Sequence, residues 1–119
     1  MQRKNTNSNR AERVAAKVQT LCAEILRDRF GDDELLGQVS LVGASASGGI
    51  QFVRLFYYSR GGKSDAVQRR LDEVTRMVRF ELAAKMDQKY VPDIRFEYDD
   101  TMERAARIED LLKGIENAE

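Results

Sequence analysis

The sequence predicts an α+β domain, a three-stranded mixed sheet covered by helices on one face. Three observations carry that prediction. Apolar residues recur three and four apart along long stretches, which is the period of an amphipathic helix. A glycine-rich break separates two runs rich in β-forming residues, which makes an antiparallel hairpin. At Pro92, the only proline in the chain, the apolar period drops to two, so a helix leads into a further strand. The predicted order is α–β–β–α–β with a closing helix.

Residues 1–9 are polar and are expected to form a disordered tail, leaving residues 10–119 as a single domain. From Arg10 to about Arg29 the apolar set Val14, Val18, Leu21, Cys22, Ile25 and Leu26 marks the first helix. Asn9 is placed as its N-cap, with Glu12 three residues on, and Gly31 is placed to end it. The acidic link GDDELLG follows; it lacks the alternating ligands and closing glutamate of a calcium loop, so no metal is expected there. QVSLVGASA (38–46) and QFVRLFYYS (51–59) read as the hairpin strands, turning at Gly48-Gly49. Phe52, Phe56, Tyr57 and Tyr58 are read as core and sheet-surface residues in preference to base-stacking platforms.

Ser64 is a natural N-cap for the longest helix, whose stripe is Val67, Leu71, Val74, Val78, Leu82 and Met86. Beyond Pro92, Ile94, Phe96 and Tyr98 alternate with Arg95 and Glu97 as the third strand. The closing segment, Asp100 to about Glu116, carries Met102, Ala105, Ile108, Leu112 and Ile115 at helical spacing and is expected to pack back on the domain through them.

Formal net charge is zero, but it is unevenly spread. Residues 1–29 carry seven Lys/Arg against three Asp/Glu, and residues 60–95 carry nine against six. Residues 96–119 carry three against eight. Two basic segments can therefore share a surface that attracts phosphates despite the neutral total. Cys22 is the only cysteine and there is no histidine, so neither a disulfide nor a Cys–His nucleophile can form within the chain. No run of about 18 apolar residues spans a membrane, and no apolar signal core opens the chain; a cytoplasmic protein is expected. No paired-carboxylate or phosphate-loop motif stands out, and neither catalysis nor a cofactor is expected.

Several residues together resemble the ribosome-binding factor A family of small-subunit maturation factors, whose fold is a type II KH arrangement. They are Arg13-Val14 opening the first helix, Ile25-Leu26 near its end, and Val39-Ser40 starting the first strand. The strongest is Tyr90-Val91-Pro92-Asp93-Ile94-Arg95-Phe96 with Tyr98-Asp99, followed by Ile108 and Leu111-Leu112. The resemblance spans roughly residues 10–113. Two departures stand out: Asp33-Glu34-Leu35 replaces the family's aspartate-proline-arginine, and Val74-Thr75-Arg76 replaces the alanine-x-glycine kink that splits its long helix. A kink at Val74, Thr75 and Arg76 would be shallower or held by packing, since none of the three relaxes the backbone as glycine does.

The resemblance implies a non-catalytic RNA-binding factor that docks on the small ribosomal subunit and its 16S rRNA, aids rRNA processing and 30S assembly, and is a monomer off the ribosome. The expected phosphate contacts are Arg10, Arg13, Lys17, Arg69, Arg70, Arg76, Arg79, Lys85 and Lys89. The competing expectation is a protein–protein adaptor of ferredoxin-like or KH-like shape that pairs through the Phe56–Tyr58 strand as a sheet edge.

Overall fold

A computed structural model of the chain describes residues 2–86 and 91–117. In order these form α1 (Gln2–Phe30), a 3-10 turn (Leu36–Gln38), β1 (Val39–Ser47), β2 (Phe52–Ser59), α2 (Asp65–Met86), β3 (Asp93–Tyr98) and α3 (Thr101–Asn117). The sheet runs β1-β2-β3, antiparallel between β1 and β2 and parallel between β2 and β3. It is the expected mixed sheet. Because β2 is paired on both sides, Phe56–Tyr58 is central and has no free edge, which removes the strand-pairing surface of the adaptor reading.

Pleat alternation along β2 sends Val53, Leu55, Tyr57 and Ser59 inward and Phe52, Arg54, Phe56 and Tyr58 to the other face. Inward residues meet Ile94 and Phe96 of β3, the α1 residues Val18, Cys22, Ile25 and Leu26, and the whole α2 stripe from Val67 to Met86. All six predicted α2 stripe positions are buried. Gly48, Gly49 and Ile50 make the hairpin turn in left-handed conformations, at φ 60°, 65° and 72°. The two glycines adopt them freely, whereas branched Ile50 is strained there.

Three expectations change. First, α1 begins at Gln2, so Asn9 lies within the helix and does not cap it. Nothing in residues 2–9 is a proline or glycine, and extending a formed helix costs little compared with nucleating one. Gly31 does follow the helix end, and a Cβ there would stand 2.7 Å from the Arg27 carbonyl oxygen. Second, α2 is uninterrupted through Val74-Thr75-Arg76, so any kink there is not a break. Val74 and Val78 are locked in the core, and the Thr75 hydroxyl donates to the Leu71 carbonyl at 2.8 Å, a back-bond that bends helices without cutting them. Third, α3 does not pack back. Met102, Ile108, Leu111, Leu112 and Ile115 are all exposed, and none of the described α3 side chains joins the core. The helix is anchored at its start instead. Asp99 Oδ1 accepts the Thr101 N–H at 2.9 Å, Arg104 pairs with Asp100 at 3.0 Å, and the Tyr98 hydroxyl donates to Glu103.

Candidate nucleic-acid interface

The helices that cover the sheet also present the basic residues. α1 and α2 lie against each other above it, joined by the shared core and by an Arg29 Nε–Glu81 Oε2 ion pair at 2.6 Å. On α1, Arg10, Arg13 and Lys17 are exposed, and their spacing of three and four places them on one side of the helix. Arg10 stands beside the hairpin, bordering a shallow depression with Ala46, Ser47, Gly49 and Ile50. On α2, Arg69, Arg76 and Lys85 are exposed. None of these six cations has an ion pair among the described residues.

Arg70 and Arg79 serve the fold instead. Arg70 places Nε and Nη2 on Asp33 Oδ2 at 2.9 and 2.8 Å and Nη1 on Glu73 at 3.1 Å, with its guanidinium 5.7 Å from the centre of the Phe30 ring. Asp33 Oδ1 meanwhile accepts the N–H groups of Leu35 and Leu36 at 2.9 and 3.0 Å. The backbone bond from Leu36 and the Arg70 contact together hold the Asp33 carboxyl below its ordinary range. Arg79 donates to the carbonyls of Pro92 (3.1 Å) and Val91 (2.8 Å) and pairs with Asp93 at 3.2 Å. It thereby fastens the α2 surface to the chain entering β3. Lys89 lies outside the described residues.

The open sheet face is electrically closed on itself. Arg54 makes a two-pronged contact with Glu97, both distances 2.8 Å, which lowers the Glu97 carboxyl below its usual range. Arg54 also lies 5.1 Å from the Phe56 ring centre, and Arg95 lies 5.3 Å from that of Phe52. These ring faces already carry guanidinium groups. Tyr57 is buried and donates its hydroxyl to Gln68 at 2.8 Å. Cys22 is fully buried, and burial pushes its thiol up to about 12, well above a reactive range.

One residue escaped the sequence reading. Phe80 is 76% exposed on the outward side of α2, between Arg76 and Arg79 on one side and Ala83 on the other. A signal was available: Phe80 falls off the Val67–Met86 stripe, among arginines, where helical spacing predicts solvent.

The described residues contain no cluster of three or more metal-ligating side chains, and no described helix is long and apolar enough to cross a membrane. What the helical surface offers is fixed positive charge, suited to neutralising phosphates.

Comparison with known proteins bears on which phosphates. The family model described as Ribosome-binding factor A matches residues 10–112. Ribosome-binding factor A of Trichlorobacter lovleyi is 30% identical over 108 residues, covering 89% of this chain and 87% of the relative. That of Coxiella burnetii is 33% identical over 107 residues, covering 89% of both. Among solved structures, ribosome-binding factor A from Thermus thermophilus superposes with a TM-score of 0.64 at 15% identity, covering 74% of this chain and 94% of that one. A Thermus thermophilus ribosome binding factor A homology model fitted into a cryo-EM map of a 30S complex superposes with a TM-score of 0.61 at 15% identity, covering 71% and 90%. Both share the KH-like fold of this chain.

Proposed function

The chain belongs to the ribosome-binding factor A family, and from that premise we propose that it binds the precursor small ribosomal subunit through the outward basic sides of α1 and α2. There it assists 16S rRNA processing and 30S assembly without catalysing a reaction. The observation that carries this reading is the pairing state of the cations. Arg10, Arg13, Lys17, Arg69, Arg76 and Lys85 are exposed, with no ion pair among the described residues, on the two helices of a fold that matches the family over residues 10–112. The Thermus thermophilus protein fitted into a 30S complex supplies the partner by kinship.

The physical work is displacement of condensed counterions from RNA phosphates, with the spacing of the helices deciding where each cation falls. Because α2 is uninterrupted, side chains make these contacts and no exposed backbone turn is needed. The factor acts in the cytoplasm and is a monomer off the ribosome.

Sedimentation of the purified chain tests the reading. It is expected to travel with isolated small subunits and to be absent from translating ribosomes. Failure to travel with isolated small subunits at low salt contradicts it.

A further inference from the structure

Phe80 takes no part in the core formed by the described residues. Its side chain is 76% exposed, it makes no aromatic contact among the described residues, and the α2 stripe that builds the core runs along the opposite side. It borders a shallow cavity of about 550 Å³ with Asp72, Thr75, Arg76, Arg79 and Ala83. Arg69, Arg76 and Phe80 are seven and four residues apart, so they align along the same side of α2, spaced about 10 and 6 Å along its axis.

The charges around the ring select its partner. Glu73 pairs with Arg70 at 3.1 Å and Glu81 pairs with Arg29 at 2.6 Å, while Asp72, one turn before Arg76, accepts a hydrogen bond from the neutral Gln68 amide at 3.0 Å and keeps its charge. Arg79 is held by Asp93 and two carbonyls. Arg76 is thus the cation next to Phe80 that has no ion pair among the described residues, its guanidinium left available to a phosphate. A protein partner needs an apolar patch of several hundred Å². Here the apolar surface is one ring with Ala83 and the partly exposed Met77. A flat ring beside a free guanidinium matches one nucleotide: a base to stack on and a phosphate to neutralise.

We propose that Phe80 is a stacking platform for an unpaired RNA base, with Arg76 and Arg69 holding the phosphates that flank it. The proposal rests on the RNA-binding reading above and adds to it that part of the target is single-stranded. A base within a duplex is already stacked and hidden from the ring.

Binding of the full chain to a labelled oligoadenylate of about 12 nucleotides, and to a blunt RNA duplex of equal length, tests this. The wild type is expected to prefer the single strand. Phe80→Ala and Phe80→Leu are expected to weaken single-strand binding about tenfold, within the range for loss of one stacked base, without changing its salt slope. Phe80→Tyr is expected to keep the affinity. Arg76→Glu is expected to reduce the salt slope by about one phosphate contact. All are exposed positions, so the fold is expected to survive, and thermal melts check it.

Phe80→Leu binding as tightly as wild type overturns stacking, as does Phe80→Ala doing so. A wild type that ignores oligoadenylate yet sediments with small subunits overturns the proposal and leaves the proposed function standing. A wild type that does neither overturns both.

Discussion

Asp33 shows how one side chain can fix the relation between two elements. Its two oxygens point different ways, Oδ1 to the N–H groups that open the 3-10 turn and Oδ2 to Arg70 on α2. Replacing it with alanine removes a cap and an ion pair together and is expected to cost about 1–2 kcal/mol at neutral pH. The sign of the pH dependence follows from the depressed carboxyl. Its contribution is full above the ordinary carboxylate range and is lost as pH falls through the lower folded-state value. Stability curves of wild type and Asp33→Ala, measured by urea titration, are therefore expected to be apart at pH 7 and to converge in acid. Parallel curves throughout would contradict the Arg70 tie. In the sequence the residue looked like part of a polar link, because a side chain's partner 37 positions away leaves no local pattern. The same holds for Arg70 and Arg79, which share composition and position on the helix surface with phosphate-binding arginines and differ in what stands opposite them. Val18, Cys22 and Leu71 were legible because burial follows helical period, which a sequence displays directly.

At the level of elements, α2 and α3 make opposite cases. The α2 stripe was readable in full, and helix-compatible residues at 74–76 carry it through the place where the family inserts a glycine kink. Arg76→Gly is accordingly expected to be about 1 kcal/mol less stable than Arg76→Ala, the cost of glycine inside a regular helix. A glycine variant as stable as the alanine one would show that the backbone there is already relaxed. For α3, periodicity correctly indicated a helix and its apolar side, but it carries no information on what that side meets. The stripe from Met102 to Ile115 faces solvent. The double variant Ile108→Ser, Leu112→Ser is expected to unfold within about 0.5 kcal/mol of wild type, as exposed sites do. A loss of several kcal/mol, typical of core truncation, would mean that α3 packs on the domain in solution. The first-helix cap at Asn9 was misplaced for a related reason. A residue with capping chemistry in its side chain caps only if the backbone stops there, and nothing upstream of it stops α1.

For the molecule as a whole, a neutral total conceals a division of labour. Acidic groups are concentrated on the link after α1 and in the segment from Glu97 to Glu119, and several sit in ion pairs that hold the fold. Six exposed cations without ion pairs among the described residues stand on α1 and α2 (Arg10, Arg13, Lys17, Arg69, Arg76 and Lys85), while Arg60, Lys63, Arg107 and Lys113, also without ion pairs, stand in the β2–α2 turn and on α3. The sheet positions those two helices and closes its own open face through Arg54–Glu97 and the guanidinium-covered rings. Topology was legible because hairpin, helix and strand signals are local and right-handed crossover rules leave few ways to join them. The proposed interface was legible only as an excess of positive charge, since separating free from committed arginines needs three-dimensional pairing. The decisive measurement is sedimentation with isolated small subunits across a salt series, comparing wild type with Arg13→Glu, Lys17→Glu, Arg69→Glu, Arg76→Glu combined. Wild type is expected to bind at low salt and to be released as salt rises, while the folded quadruple variant is expected not to bind at any salt. Undiminished binding by that folded variant would contradict a basic α1–α2 interface.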